Sequence, residues 1–138
     1  MSELVRFSVS IEKSLYERMG RVLKKSGYGN RSEFIRDLVR GCLVDEEWKD
    51  NQEALGTITL IYDHHKRMLS DRLTDLQHHY PREILVSTHV HLDRRLCAEA
   101  ILVKGRARTV EEIANQLRKE KGVLHASLAM GSTGKELT

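Results

Sequence analysis

The sequence predicts an α+β fold in two units: a short N-terminal strand–helix–helix (βαα) unit and a larger ferredoxin-like sandwich of order βαββαβ. Three observations predict it. Apolar and polar residues alternate over residues 4–10, which is the period of a half-buried strand. Apolar residues then recur at helical spacing up to residue 43, and beyond residue 56 β-rich runs alternate with two further helical stripes. We therefore expect domains at residues 1–50 and 51–131 and a disordered tail at 132–138.

The N-terminal unit can be followed element by element. One face of the strand is apolar, and the other carries Arg6, Ser8 and Ser10. The first helix has an apolar stripe and ends at a glycine: Leu15, Met19, Val22, Leu23 and Gly27. Asn30 caps the second helix, with Glu33 completing a capping box. The stripe of this helix includes Cys42, which is therefore expected in the core.

The second unit begins after a linker. Residues 45–55 lose periodicity and are interpreted as a helix end running into that linker, with Trp48 packed at the domain junction. The expected elements are a strand, a helix ended by Pro81, two strands, a helix and a last strand, at residues 57–62, 63–79, 84–91, 97–103, from Thr109, and 123–129. Thr109 and Glu112 form the capping-box pattern of the second helix. His125 in the last strand is expected to be a packed core histidine.

Composition and charge narrow the functional class. No apolar run among the 138 residues approaches the roughly 20 residues of a membrane span, and early charged residues exclude a signal peptide. These features predict a cytoplasmic protein without a membrane partner. Residues 1–43 contain nine Lys and Arg against five Asp and Glu, a net of +4, whereas residues 44–138 contain fourteen against fifteen, a net of −1. The basic N-terminal unit favours an anionic partner.

The N-terminal strand predicts a dimer that binds DNA. A strand of this length is not stable alone, and nothing else in the first unit can pair with it. We expect the strands of two chains to pair, giving a ribbon that fits the major groove. Base contacts would come from Arg6, Ser8 and Ser10, and phosphate contacts from the start of the second helix, at Asn30, Arg31 and Ser32. The alternative is a polar face that only meets water, in a dimer used for assembly.

A histidine–cysteine cluster predicts a metal site. His89 and His91 share one strand face about 6.6 Å apart, and a three-residue turn at residues 93–95 would pair His91 with Cys97 and His89 with Glu99. A fourth ligand, His78, ends a helix from which roughly 17 Å of strand leads to His89. Supply of His78 by a neighbouring subunit is therefore the easier geometry. Such imidazole and thiolate ligands suit zinc, copper or nickel, and the sequence chemistry leaves that choice open.

The remaining histidines and the enzyme class receive less weight. His64, His65 and His79 are interpreted as residues at solvated helix ends, although they could bind extra metal weakly. A hydrolytic metal site needs an open coordination position, and a site with four protein ligands is closed. No Ser-His-Asp arrangement or phosphate loop is present. We therefore expect that the protein is not an enzyme.

The motifs together resemble a known family. The strand–helix–helix unit, with Gly-Tyr-Gly-Asn-Arg-Ser-Glu-Phe-Ile-Arg at residues 27–36, resembles the ribbon-helix-helix transcription factors. Followed by a ferredoxin-like domain with Gln-His-His, His-Val-His and then Cys, it resembles the nickel-responsive repressor family, NikR, over residues 4–130. The alternative is a ribbon-helix-helix regulator that senses another metal or a small molecule through its ferredoxin-like domain.

This resemblance implies several functional assignments. It implies a homotetramer, a dimer of dimers, with ACT-like C-terminal domains that represses transcription at palindromic operator DNA. One Ni(II) per subunit would lie in a square plane of His89, His91 and Cys97 from one chain and His78 from another. Glu99 and Tyr62 would orient these ligands. The resemblance further assigns phosphate contacts to Lys66 and Arg67, and an interdomain monovalent cation to Glu33 and Asp37.

Overall fold

The computed structural model describes residues 3–138, which divide into two compact units. The first extends to Leu43 and includes Glu136–Thr138, and the second comprises Val44–Lys135. The division lies between residues 43 and 44, where the sequence had suggested a boundary after residue 50. Within residues 3–138, no helix is both long and apolar enough to cross a membrane.

The first unit contains two helices, α1 (Lys13–Ser26) and the start of α2 (Arg31–Lys49). Gly27 ends α1 in the left-handed region, with φ of 72°, a conformation that glycine adopts without steric cost. The Asn30 Oδ1 accepts the backbone N–H of Glu33 at 2.9 Å, so the predicted cap of α2 is confirmed. The reciprocal half of the capping box is not formed, because the Glu33 carboxylate pairs with Arg36 instead.

The segment before α1 forms no strand in the single chain. Residues 3–12 have no regular secondary structure, and the apolar side chains Val5, Phe7 and Val9 are 82%, 71% and 65% exposed. A strand is held by hydrogen bonds to a neighbouring strand, and the predicted partner was a second copy of the chain. The ribbon therefore stays a prediction.

Helix α2 is longer than its sequence indicated. The predicted helix end within residues 45–55 is present, because α2 runs to Lys49, but the connection after it is only residues 50–52, since the first strand starts at Glu53. Trp48 is buried in the core of the second unit, where its indole N–H donates to the Gly131 carbonyl at 2.9 Å. The burial and the hydrogen bond of this indole thus hold the last turn of α2 in place. Cys42, in contrast, is exposed and not part of a core.

The second unit is a four-stranded antiparallel sheet with two helices. Its elements are β1 (Glu53–Asp63), α3 (Leu69–His78), β2 (Ile84–His91), β3 (Leu96–Arg106), α4 (Ala107–Lys119) and β4 (Val123–Gly131), and the strand order is β2-β3-β1-β4. The predicted βαββαβ order is therefore confirmed. Alternate residues of β1 are buried, and they share one core with Val110, Ile113, Ala114 and Leu117 of α4. The opposite face of the sheet carries the exposed His125, so its predicted core position is wrong for the single chain.

Both helices of this unit begin at other residues than predicted. Helix α3 starts at Leu69 instead of residue 63, because residues 64–68 form turns in which the Asp63 carboxylate accepts the His65 N–H at 2.9 Å. Thr109 does not cap α4, which starts two residues earlier at Ala107. The Arg108 N–H donates to Asn51 Oδ1 at 2.9 Å and the Ala107 N–H to the Gln52 carbonyl at 3.0 Å. The cap of α4 is therefore supplied by a segment more than fifty residues away in the sequence.

Gly56 provides a test of this core. A Cβ at Gly56 would lie 2.7 Å from Val110 Cγ1 and 2.9 Å from Leu128 Cδ1, which is too close for packed side chains. We expect Gly56→Ala to lower the free energy of unfolding by about 1–3 kcal/mol, measured by urea unfolding followed through Trp48 fluorescence. Gly105→Ala is the matched control, since its nearest neighbour is the side chain of Glu83 at 3.2 Å. Equal stability of both variants would contradict this packing.

Candidate metal centre

The β2–β3 hairpin places the predicted ligands together. His91 is paired with Cys97 and His89 with Glu99, which is the predicted register. The turn needs no glycine, because Asp93 Oδ1 accepts the N–H groups of Arg95 and Leu96, each at 2.7 Å. These backbone donors hold the pKa of the Asp93 carboxyl below its usual value. A side chain thus fixes the register on which the cluster depends.

Cys97 and His91 are in direct contact. The Sγ of Cys97 lies 3.3 Å from Nδ1 of His91, and the rings of His91 and His89 are 5.0 Å apart between centroids. Cys97 is fully buried while both histidines are exposed. Burial raises the pKa of the Cys97 thiol, so metal binding, which requires the thiolate, must release its proton.

His64 is the residue that the sequence interpretation missed. It lies in the turn after β1, not at a helix end, and its ring centroid is 5.2 Å from that of His91. Donor atoms of His64, His91 and Cys97 all lie within 4.8 Å of one another. The signal is non-local: β1 pairs with β3 so that Tyr62 is opposite Cys97, and this pairing brings the residues after Tyr62 to the cluster.

Tyr62 contacts the other hairpin histidine. Its hydroxyl lies 3.0 Å from Nδ1 of His89. Burial, with smaller contributions from Glu99 and Cys97, raises the pKa of Tyr62 to about 12, so the hydroxyl is protonated at neutral pH. For His89 to bind a metal through Nε2, its Nδ1 must carry the proton and donate to the tyrosine oxygen. Tyr62 can therefore hold the ring orientation of His89 and accept from its Nδ1 when Nε2 binds a metal.

Glu99 connects β2 with α3. Its Oε1 accepts the Ser87 hydroxyl at 2.8 Å and the Gln77 side-chain amide at 3.4 Å. Its Oε2 is buried with no hydrogen-bond partner among residues 3–138. Gln77 directly precedes His78, so Glu99 joins the hairpin to the end of the helix that carries the fourth predicted ligand.

His78, the fourth predicted ligand, lies on α3 and not on the hairpin. It is the last residue of α3, is exposed, and borders a cavity lined by Thr74, Gln77, Pro81 and Ile84. In the part of the chain described, it is not among the residues whose donor atoms cluster. His65 and His79 are exposed near the ends of α3, and neither is in that cluster. Supply of His78 by a neighbouring subunit stays a prediction.

The predicted DNA-contact residues lie at the surface. Arg6, Ser8 and Ser10 are exposed in the segment before α1, Ser32 is exposed at the start of α2, and Lys66 and Arg67 are exposed in the turn before α3. The Arg31 guanidinium lies 4.6 Å from the centroid of the Tyr16 ring. Asn30 uses its side chain to cap α2. Their contact with DNA stays a prediction.

Glu33 and Asp37, predicted to hold a cation, have protein partners in the first unit. Glu33 pairs with Arg36, and Asp37 accepts the Tyr28 hydroxyl at 2.8 Å and Arg40 Nη1 at 3.0 Å. The hydrogen bond from Tyr28 is the main cause that holds the pKa of Asp37 below its usual value. A cation would have to compete with these arginines, and its site stays a prediction.

The donor set suits a transition-metal ion. Imidazole and thiolate are ligands of zinc, copper and nickel, whereas magnesium and calcium prefer oxygen. Two buried atoms beside the cluster, Nδ1 of His64 and Oε2 of Glu99, have no hydrogen-bond partner among residues 3–138. Burying a polar atom without a hydrogen-bond partner costs free energy. Such atoms are expected in a site that a further bound group completes.

Known proteins are similar to this sequence along nearly its whole length. A family model of the NikR C-terminal nickel-binding domain matches residues 55–130. A relative from Geobacter metallireducens, named "Putative nickel-responsive regulator", is 48% identical over 138 residues, covering 99% of each chain. A relative of the same name from Pyrococcus abyssi is 48% identical over 136 residues, covering 98% of this chain and 99% of its own. These relatives are named as regulators and not as enzymes.

A solved structure shares the fold of the second unit. An uncharacterized protein of Thermotoga maritima covers 57% of this chain and 98% of its own at a TM-score of 0.51. Its sequence identity is 12%, so the similarity concerns the fold alone.

Tyr62→Phe tests the orienting contact at the cluster. We expect it to weaken Ni(II) binding about 10- to 100-fold, because His89 loses the hydrogen-bond partner that orients its ring. Affinity would be measured by competition with a chelator, and circular dichroism would verify the fold. Tyr80→Phe, at a half-buried tyrosine packed on the same core, is the control. Unchanged affinity in Tyr62→Phe would show that the hydroxyl does not position His89.

Proposed function

Because this chain belongs to the nickel-responsive regulator family, we propose that it is a nickel-dependent transcriptional repressor that binds palindromic operator DNA. The observation that carries the proposal is the hairpin register, which sets His91 opposite Cys97 and His89 two residues along the same strand. Three of the four proposed ligands thus come from one rigid hairpin. The output would come from the basic N-terminal unit.

The proposed nickel site is shared between subunits. His89, His91 and Cys97 of one chain, with His78 of a neighbouring subunit, would hold one Ni(II) per subunit in a square plane. His78 lies at the exposed end of α3 and not on the hairpin that carries the other three ligands, which supports its supply in trans. Tyr62 would orient His89. The hydrogen bond from Ser87 to Glu99 would hold β2 to β3. When bound, the ion would link two subunits.

The open face of the sheet supports assembly into a tetramer. The helices cover one face, and the other presents apolar or small side chains such as Ile61, Val86, Val90 and Ala100. Val86 and Val90 are 52% and 51% exposed, and apolar patches of this kind mark interfaces. We propose that sheets pair through this face and that N-terminal ribbons also pair, giving a dimer of dimers.

The N-terminal segment supports DNA recognition through a ribbon. Its apolar residues Val5, Phe7 and Val9 are exposed in the single chain and would be covered when two strands pair over α1 and α2. Pairing would turn the alternate side chains outward to read base edges, at Arg6, Ser8 and Ser10. Phosphates would be contacted at Asn30, Arg31, Ser32, Lys66 and Arg67.

Metal and DNA would be coupled through the assembly. A subunit arrangement in which His78 reaches the neighbouring hairpin is the one that would also hold the ribbons at the spacing of the two operator half-sites. Each ligand can shift this equilibrium only by its preference between arrangements, typically 1–3 kcal/mol. A monovalent cation held by Glu33 and Asp37 in the DNA-bound form is part of the same proposal.

Subunit mixing tests the shared site. A His78→Ala chain and a His89→Ala chain should each lose tight nickel binding alone. After mixing and reassembly, about a quarter of the sites should return, because random pairing unites intact ligands from two chains. Nickel stoichiometry and the thiolate charge-transfer absorption would report the recovery. No recovery would contradict supply of His78 in trans, as a ligand set within one chain keeps every site defective.

Arg6→Ala tests the ribbon. We expect the variant to lose roughly 1–3 kcal/mol of operator affinity and some discrimination between sites, while nickel affinity is retained. Fluorescence anisotropy with labelled operator and scrambled DNA would measure both quantities. Arg108→Ala, at an exposed arginine of α4, removes the same charge from the second unit. If the two variants weaken DNA binding equally, the ribbon is not the reading element.

A further inference from the structure

Arg72 lies in α3 and joins the turn before this helix to the turn between α4 and β4. Its Nη1 donates to the Arg67 carbonyl at 3.3 Å, and its Nη2 donates to the Lys121 carbonyl at 2.9 Å. Its Nε donates to Glu120 Oε2 at 3.2 Å, which adds an ion pair. All three nitrogens of one planar guanidinium are thus bonded, so this side chain has a fixed orientation and holds two backbone segments together.

The turn before α3 has a backbone conformation that needs such support. Met68 has a φ of 64°, in the left-handed region, which is uncommon for a residue with a side chain. Its side chain is exposed, so its own packing contributes little. Conformations of this kind persist only where surrounding contacts hold them. The carbonyl of the preceding residue, Arg67, is the one that Arg72 holds.

Gly122 allows the two turns to approach closely. It has a φ of 106°, and a Cβ there would lie 2.9 Å from Leu69 Cδ2 and 3.5 Å from Lys66 Cγ. The aliphatic stem of Lys66 therefore packs over the glycine, although the residue as a whole is exposed. Arg67 and Lys121 are exposed as well. Three cationic side chains thus lie on adjoining turns.

We propose that Arg72 is a positioning residue for DNA binding, which holds the turn of Lys66 and Arg67 in the conformation that meets phosphate. This inference rests on the proposed function, in which those two residues contact the DNA backbone. Arg72 acts through the Arg67 carbonyl and not through a phosphate contact of its own, because its guanidinium is already bonded to three protein oxygens. A turn that is held before binding loses less conformational entropy on DNA, so its contact is stronger.

The experiment combines Arg72→Gln with removal of the two phosphate contacts in the full, nickel-loaded chain. Operator affinity is measured by fluorescence anisotropy at several salt concentrations for the wild type, Arg72→Gln, Lys66→Ala/Arg67→Ala and the triple variant. We expect Arg72→Gln to weaken binding roughly 3- to 10-fold and to lower the salt dependence of the affinity, as lost phosphate contacts do. In the Lys66→Ala/Arg67→Ala background, the same substitution should change operator affinity less than about 2-fold. Nickel affinity should keep its wild-type value.

Trypsin cleavage after Lys66 and Arg67 tests the same contact without DNA, because a turn that opens more often is cut faster. We expect faster cleavage at these two bonds in Arg72→Gln. Cleavage after Lys104, inside β3, is the reference for unfolding of the whole unit. If Arg72→Gln loses the fold by circular dichroism, Arg72→Lys decides. A lysine keeps the charge but lacks the planar fork that reaches three oxygens, so it should show the same two changes.

Other results overturn the inference. An equal loss of operator affinity with and without Lys66 and Arg67 would show that Arg72 contacts phosphate itself. Unchanged operator affinity in Arg72→Gln would show that Arg72 does not set the contact, and unchanged cleavage would show that it does not hold the turn. If nickel fails to strengthen operator binding by the wild type, the proposed function is rejected. The cleavage result still decides separately whether Arg72 holds the turn.

Discussion

The pairing of β2 with β3 is the constraint on which the metal centre depends. A shift of one residue would send His89 and His91 to the opposite face of the sheet, away from Cys97 and Tyr62. The register is set by a short turn in which Asp93 accepts two backbone N–H groups. On the other side, pairing of β1 with β3 sets Tyr62 opposite Cys97. A three-stranded antiparallel segment therefore positions the donors before any ion is bound.

The proposed assembly would meet needs that a single chain leaves open. A single chain leaves the apolar side chains of the N-terminal segment and of the open sheet face exposed. It also keeps His78 out of the donor cluster within residues 3–138. A neighbouring copy of the chain would cover these apolar side chains and supply His78. A metal whose ligands come from two chains would then report on assembly as well as on ion concentration, which is the linkage that a regulator needs.

Local rules predicted much of the fold, and non-local contacts account for the errors. The βαββαβ order, the Asn30 cap and the hairpin register follow from periodicity, a side-chain cap and turn length. Three features depended on distant residues: Trp48 extends α2 by bonding to Gly131, Asn51 caps α4, and His64 joins the cluster through the β1–β3 pairing. The nickel assignment needed the family resemblance, because the donors alone suit three metals.

A metal-titrated DNA-binding measurement tests the central claim most directly. Labelled palindromic operator DNA and a scrambled duplex would be titrated with the full chain, metal-free and with nickel or zinc, at one fixed salt concentration. The account predicts that nickel strengthens operator binding by roughly 10- to 100-fold, leaves scrambled DNA almost unaffected, and acts more strongly than zinc. Equal operator affinity with and without nickel would contradict it.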